Sequence, residues 1–431
     1  MPVPAPMPWL ARRMFPVLAT VVLIAIGMLS TTWWGPHLVG KPDWSLPDDL
    51  WGTLVAAHRI WHLDLSGLYT RPTALVAPPG AALILVPVVA LIDAAGLGLG
   101  APGAHNAHPG AWLLAGPYEI ALSAAALFAA DAIADRLGVH RPKRAVLAAA
   151  EAVALWSVSV RWGHPEDAVA VALLLFGILA LSESKAERSA WLIGSAAAVQ
   201  PLVLLALPVV LVVLEPRRLP GFLARAAVPG ALLVGAAASA NWTATVKAIT
   251  SQPNWPAIDH PTPWTSLAPH FSNGAVAAGP ARALAIAAAC GCALVVGRRW
   301  RARRETAQWS PEALAELLWW VAAALALRCV FEPVMVAYYL WPVLAVALAT
   351  ASGSWARLIP TAVTASALTF VSQASWRGPW LWWGTMAAGL GLILFCAAPA
   401  GWRRGGRHGG LAPRVPAERG TGLAVSSRWP R

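Results

Sequence analysis

Two acidic clusters in this sequence have the residue types needed for proton transfer and phosphate binding. One lies in the first long polar loop, and the other lies between two long apolar runs. The first is the pair Asp48-Asp49, and the second is the stretch 161–167, which includes His164, Glu166 and Asp167. A carboxylate beside apolar walls is a suitable general base, and neighbouring cationic groups can hold an anion. Because such charges are costly inside lipid, we expect both clusters at a membrane surface, in one site.

Composition explains why a membrane surface is expected. Of the 431 residues, 58% are hydrophobic and 12% are charged, whereas a soluble domain carries about 25% charged residues. The net charge of +12 arises from short basic clusters between apolar runs, which is typical of cytoplasmic loops and does not indicate nucleic-acid binding. The four cysteines show no metal-ligand spacing and are expected to be buried apolar residues. The sequence therefore predicts an all-α, polytopic transmembrane helical bundle.

The apolar runs predict about 10–12 membrane spans within one domain, residues 1–400. The basic pair Arg12-Arg13 places the N-terminus in the cytoplasm, as the basic clusters 136–144 and 298–304 do for their own loops. For these loops to share one side, the run 79–97 or its neighbour must fail to cross fully. The remaining segments are assigned as a large first external loop (35–73), a second external loop (241–276) and a basic, disordered cytoplasmic tail (401–431).

The first external loop should contain an interfacial helix at about 50–65, with Asp48 and Asp49 at its N-terminus. One aspartate is explained by capping alone, but two are not. The run 191–214 is interrupted by Gln200-Pro201 and Pro208, which favours two half-helices around a cavity. These elements would place both acidic clusters around one external site.

Three arginines on the external side, Arg59, Arg161 and Arg328, oppose the inside-positive bias and are candidates to hold a phosphate. The alternative is that these arginines form ion pairs with carboxylates, and that the pairs only hold loops together without binding a phosphate. The external turn 259–264, with His260 and Trp264, either covers the site or anchors the chain at the interface. Among residues 332–339 we favour only Glu332 as cavity-lining.

Several short motifs occur in an order that resembles the GT-C superfamily of integral-membrane glycosyltransferases, and most closely its actinobacterial branch dependent on polyprenol-phosphate mannose. They are Asp48-Asp49-Leu50-Trp51, Gly67-Leu68-Tyr69, Gly163-His164-Pro165-Glu166-Asp167, Val199-Gln200-Pro201 and Arg328…Glu332-Pro333…Tyr338-Tyr339-Leu340. The resemblance covers most of the chain, although each motif is short. The order of the motifs therefore carries the likeness more than any one of them.

The resemblance implies transfer of a sugar, with mannose suggested, from a polyprenyl-phosphate donor to a glycan or glycolipid acceptor in the cell envelope. The enzyme would be multi-pass in the plasma membrane, with an extracytoplasmic active site. Asp48 or Asp49 would be the catalytic base, and Glu166 and Asp167 would lie near the donor phosphate. The wider set of substrate-binding candidates is Arg59, Arg161, His164, Glu166, Asp167, His260, Trp264, Arg328 and Glu332.

No cofactor is expected. A divalent cation at His164, Glu166 and Asp167 is disfavoured, because proline interrupts the group and no ligand pattern repeats. Expected partners are the donor, the acceptor and membrane lipids, and not nucleic acid. The main alternative function is a secondary transporter or a flippase for lipid-linked sugars, which broken helices also suit. A non-catalytic membrane protein is the third alternative.

Overall fold

Helices form nearly all of the regular structure in the computed structural model, which describes residues 9–32, 48–70, 75–99, 109–303, 308–374, 378 and 380–399. The α-helices, in chain order, are α1 (Trp9–Arg12), α2 (Met14–Thr32), α3 (Asp48–Trp61), α4 (Pro79–Leu83), α5 (Val86–Ala94), α6 (Pro109–Ser123), α7 (Ala125–Arg136), α8 (Arg141–Trp156), α9 (Pro165–Ser182), α10 (Ala186–Val199), α11 (Leu207–Leu211), α12 (Leu219–Ala240), α13 (Trp242–Ser251), α14 (Ala281–Arg301), α15 (Pro311–Phe331), α16 (Trp341–Ala351), α17 (Trp355–Val371) and α18 (Leu381–Ala397). The tail 401–431 and parts of the first loop lie outside the described residues.

The remaining elements are short. A π-helical segment, Ser157–Trp162, extends α8, and 3₁₀ turns occur at Pro201–Leu205, Pro216–Arg218, Thr265–Leu267 and Ala337–Leu340. Strands β1 (His260–Pro261) and β2 (Val334–Met335) pair antiparallel, with His260 opposite Met335. This small ribbon ties the second large loop to the segment after α15.

Within the described residues, six helices are long and apolar enough to cross a membrane, which establishes the all-α polytopic class. They are Gly110–Arg136, Arg141–Trp162, Pro165–Ser182, Pro216–Ala240, Ala281–Arg301 and Pro311–Phe331. Four shorter apolar helices accompany them, at Met14–Leu29, Ala337–Ala351, Trp355–Val371 and Leu381–Ala397. The expected total of 10–12 spans remains a prediction, because it requires the shorter helices to cross as well.

The stretch 79–97, which with its neighbour was a candidate for an incomplete crossing, folds into α4 and α5, of five and nine residues. Since a helix rises 1.5 Å per residue, neither spans the roughly 30 Å of a bilayer core. The helix α9 occupies the centre of the bundle, with most of its residues buried, whereas α12 is mostly exposed on its outer surface. An apolar helix buried on all sides is the expected core of a helical bundle.

The basic loops meet at one end of the bundle. Arg144 forms a bidentate pair with Asp131, at 2.7 and 2.6 Å, and also donates to the backbone oxygen of Arg12. Arg13 bonds to the same Asp131, so the N-terminal basic pair and the 136–144 loop lie together. The acidic clusters lie at the opposite end, since α9 runs 18 residues from Pro165 to Ser182, toward the basic loops. This arrangement agrees with the grouping of loops that the charge bias predicts.

Candidate active site

His164 lies between the two acidic clusters and contacts a carboxylate of each. Its Nε2 atom is 3.0 Å from Oδ2 of Asp49, and its Nδ1 atom is 2.6 Å from Oε1 of Glu166. A doubly protonated imidazole has two N–H donors, so one ring can donate to both carboxylates at once. The clusters, far apart in sequence, therefore meet across a single ring, as the sequence predicts.

The surroundings of His164 favour its charged form. Burial of the ring lowers its pKa, but the charges of Glu166 and Asp49 and its hydrogen bonds to both raise the pKa well above its ordinary value of 6.5. The ring therefore carries a positive charge at neutral pH. The side chain of His164 is 13% exposed, and that of Asp49 is 48% exposed. Asp49 thus contacts the largely buried, charged ring of His164 and is itself open to solvent.

Local backbone geometry explains how His164 reaches this position. The π-helical extension of α8 ends at Gly163, whose φ of 69° and ψ of 48° are left-handed and favour glycine. Pro165 then starts α9, since proline suits the first position of a helix. His164 is held in this two-residue link, with its backbone N–H donating to the carbonyl of Val158 at 2.9 Å. Glu166 and Asp167 fall in the first turn of α9, where the helix dipole favours carboxylates.

On the first-loop side, α3 begins at Asp48, and its second residue, Asp49, faces His164. The side chain of Asp48 lies outside the described part of the structure. Leu50 and Leu54 are fully buried, so the apolar side of α3 fixes its rotation against the bundle. Packing of these leucines therefore directs Asp49 toward the second cluster.

A cavity of about 370 Å³ opens beside this contact, within the range of small-molecule sites. Its polar lining comprises Asp49, Thr53, His164, Glu166, Gln200, Gln252, Asn254, Arg282, Arg328, Glu332, Tyr338 and Tyr339. A larger cavity, of about 660 Å³, has a basic lining formed by Lys185, Arg188, Arg217, Arg218 and Arg225. Neither acidic cluster lines this cavity. The residues suited to proton transfer are thus in the smaller cavity.

Two tyrosines contribute to the wall of the cavity. Tyr338 stacks on His164 with ring centroids 3.9 Å apart, and the guanidinium carbon of Arg328 lies 3.7 Å from the ring centroid of Tyr339. The expectation that only Glu332 of this segment lines the cavity was wrong, because the 3₁₀ turn after β2 points both tyrosines inward. The Nη1 atom of Arg328 is buried and, among the described residues, has no hydrogen-bond partner. Such a donor can bind an anionic oxygen.

Asp167 is held by the break in the next helix. The Nε2 atom of Gln200 donates to Oδ1 of Asp167 at 2.6 Å, and Asp167 is fully buried. Gln200 has extended backbone dihedrals, φ −148° and ψ 113°, because the following Pro201 disfavours helix at the preceding residue. The predicted break at Gln200-Pro201 is thus present, and it supplies a side chain to the site.

Glu332 pairs with Arg282, a residue that the sequence analysis missed. One guanidinium nitrogen of Arg282 donates to Oε1 of Glu332, and the other donates to Oε1 of Gln252 at 3.1 Å. Arg282 stands at the start of α14, shortly after the predicted external loop 241–276, so the inside-positive bias would have identified it. Gln252 offered no such signal, since a single glutamine in a loop is common.

An apolar groove of about 380 Å³ continues from the polar cavity. Its apolar lining is Pro201, Leu202, Leu204, Leu205, Pro208, Ala285, Ile286 and Ala289. Gln200, Gln252, Arg282, Arg328 and Glu332 line both spaces, so they form the junction between them. The broken segment after α10 therefore makes one wall of the groove. A ligand with a polar head and an apolar tail fits this pair of spaces.

Five of the predicted substrate-binding residues do not line either space: Asp167, which is held by Gln200, and the four that follow. Arg59 lies ten residues after Asp49 on α3, about 15 Å further along the helix. The Nε atom of Arg161 donates to Gln373 at 2.8 Å, since the π-helical turn carries the side chain toward α17. His260 stacks on Trp382 at 3.9 Å, and Trp264 donates to the carbonyl of Val330. The turn 259–264 therefore supports the backbone around Glu332 instead of covering the cavity.

The geometry also bears on metal binding at this site. Asp49 and Glu166 lie on opposite edges of the His164 ring, so their oxygens and one ring nitrogen do not converge on a point. Asp167 turns toward Gln200. What the arrangement can do is move a proton at Asp49, hold an anion at Arg328 and exclude water with aromatic walls.

No protein-family model and no curated protein matches this chain.

Proposed function

We propose that this membrane protein is a GT-C-like glycosyltransferase that moves a sugar from a polyprenyl-phosphate donor to a glycan or glycolipid acceptor. The observation that carries the proposal is the polar cavity with its carboxylate–imidazole pair, opening at Arg328 into an apolar groove. A polyprenyl-phosphate sugar has the matching parts: sugar, phosphate and apolar tail. The site would face the extracytoplasmic side of the cell membrane, because the basic loops gather at the other end.

The donor phosphate belongs at the junction of the two spaces. There the unpaired Nη1 donor of Arg328 is buried, and burial strengthens a charge-assisted hydrogen bond to phosphate oxygen. Arg282 stands beside it, already engaged by Glu332 and Gln252. The tail would follow the groove between α14 and the broken segment after α10, and the sugar would occupy the polar cavity.

Asp49 is the proposed catalytic base. The acceptor hydroxyl oxygen attacks the anomeric carbon of the sugar, the bond from that carbon to the phosphate oxygen breaks, and the phosphate departs with the electron pair. The hydroxyl proton passes to the Asp49 carboxylate. His164 holds this carboxylate in place through its hydrogen bond and is itself anchored by Glu166. Arg328 stabilises the charge on the leaving phosphate.

Amide substitution of the two aspartates tests the base. In Asp49→Asn the hydrogen bond from His164 is retained, but the amide cannot accept the hydroxyl proton, so transfer should fall by about 10²–10⁴-fold. Asp48→Asn is the matched control, because asparagine still serves at a helix N-terminus. The measurement is transfer of radiolabelled sugar from polyprenyl-phosphate mannose, and from a panel of other polyprenyl-phosphate sugars, into the glycan and glycolipid fractions of membranes.

Wild-type transfer by Asp49→Asn would remove Asp49 from the reaction. Loss in Asp48→Asn with normal transfer in Asp49→Asn would reassign the base to Asp48. Failure of the wild type with every donor in the panel would favour the flippase alternative, which the same groove suits because it also accommodates a lipid-linked sugar without chemistry. In that case fluorescent polyprenyl-phosphate sugar should cross proteoliposome membranes, and Asp49→Asn should leave that movement unchanged.

A further inference from the structure

A second group of titratable side chains lies at the far end of α3 from Asp49. His58 and His62 are one helical turn apart, and both direct Nε2 toward Asp93 of α5. The distances are 3.5 Å from His58 Nε2 to Oδ1 and 3.1 Å from His62 Nε2 to Oδ2. The two imidazole centroids are 4.4 Å apart. The proposed transfer reaction uses none of these three residues.

The three side chains have the geometry of a metal-ligand set. His62 directly follows α3, and its backbone N–H still donates to the carbonyl of His58 at 3.0 Å. The two histidines therefore have the i and i+4 spacing of a recurrent zinc-binding pattern. One donor atom from each residue can be chosen so that all lie within 4.8 Å of one another. Tetrahedral zinc bonds of about 2.0–2.1 Å place ligand atoms about 3.4 Å apart, so small rotations of exposed side chains would suffice. The side chains are 42%, 55% and 28% exposed for His58, His62 and Asp93, so an ion can reach them.

We propose that His58, His62 and Asp93 bind a divalent transition-metal ion of the zinc class. Two imidazoles and one carboxylate suit Zn²⁺, whereas Ca²⁺ and Mg²⁺ prefer oxygen ligands alone. With three protein ligands, the ion keeps a position for water. No other group of three or more potential ligands converges in this way among the described residues.

Such an ion would strengthen the connection between α3 and α5, which already pack against each other. The metal bonds would tie the C-terminal turn of α3 to the end of α5. Because α3 is continuous from Asp48 to Trp61, fixing its far end limits the rotation that moves Asp49 relative to His164. The site is thus a structural support for the first loop, and it does not depend on the nature of the reaction. Hydrogen bonds from the imidazoles to Asp93 are the metal-free alternative.

Zinc titration separates the two accounts. The tag-free full-length protein, purified in detergent and stripped with a chelator, should bind one tight equivalent of Zn²⁺ by calorimetry. Removing a direct ligand should weaken binding by more than the roughly 10–100-fold that loss of an outer-shell partner costs. The variants are His58→Ala/His62→Ala and Asp93→Asn, and the control is His270→Ala, an exposed histidine outside this group. The control should bind zinc as the wild type does.

A second measurement uses only the wild-type protein, so it remains valid if the variants fold poorly. Co²⁺ added to the stripped wild-type protein should give the visible absorption of a four-coordinate site with nitrogen and oxygen ligands, and Zn²⁺ should abolish it. Wild-type protein that binds neither ion would leave only the hydrogen-bonded triad and overturn the proposal. Equal zinc binding by the wild type and His58→Ala/His62→Ala would overturn it as well.

Discussion

At the scale of single residues, His164 is the centre of the proposed site because its ring is shared by carboxylates from two helices. Its contacts with Asp49 and Glu166 need a proton on each nitrogen, and burial keeps water from replacing them. The stacked Tyr338 holds the ring from one face. The charge on this imidazole therefore supports the position of Asp49 beside the start of α9.

This charge predicts a pH dependence of stability. Although burial lowers the pKa of His164, Glu166 and Asp49 raise it well above 6.5, so the folded state holds the proton more tightly than the unfolded chain. The resulting stabilisation is complete below the unfolded pKa and is lost as pH rises through the folded pKa. Wild-type melting temperature should therefore fall toward that of His164→Gln as pH rises above about 6.5 and through the folded pKa. A difference between the two proteins that is constant with pH would contradict a charged His164.

At the scale of elements, breaks in helices position the site. Pro165 starts α9, and Pro201 ends α10 so that Gln200 can reach Asp167. Close packing then holds α10 in place. A Cβ atom added at Gly80 of α4 would lie 2.2 Å from the carbonyl oxygen of Ala198, two residues before Gln200. The absence of a side chain at Gly80 therefore allows α4 to approach the end of α10.

The close approach at Gly80 is testable. In Gly80→Ala the added methyl group pushes the backbones of α4 and α10 apart. The substitution should destabilise the protein by about 1–3 kcal/mol, measured as a lower melting temperature in detergent. It should also reduce sugar transfer, because Gln200 moves with α10. Gly235→Ala is the matched control, since a Cβ at Gly235 in α12 meets nothing within 4 Å. The control should be neutral or slightly stabilising, because alanine favours helix. Identical melting of the two variants would contradict the contact.

At the scale of the whole molecule, the two ends of the bundle differ in chemistry. One end gathers Arg13, Arg144 and Asp131, and Lys143 there donates to the carbonyl of Gly353 at 2.9 Å. The other end holds the polar cavity. The inside-positive bias then predicts that the basic end is cytoplasmic and the cavity is external.

Cysteine labelling of intact cells tests this orientation. In a background without the four native cysteines, His270→Cys should react with an impermeant maleimide, and His140→Cys should react only after permeabilisation. Both positions are exposed, so access depends on the side of the membrane. Labelling at position 140 alone in intact cells would invert the orientation and move the proposed reaction to the cytoplasmic face.

The sequence alone determined the class of this protein and much of its helix content, because apolar run length and charge bias are local properties. It also located the break at Pro201, since proline restricts the backbone of the residue before it wherever it occurs. It indicated, further, that the two acidic clusters share a site.

The tertiary structure decided which residues make that site. It turned Asp49 to His164 through burial of Leu50 and Leu54, a choice that two adjacent aspartates do not encode. It brought Arg282 into the cavity and directed Arg161 to Gln373. These contacts join residues far apart in the chain, so they depend on how the helices pack and rotate. Helix periodicity specifies which residues share a face, and only packing specifies what that face meets.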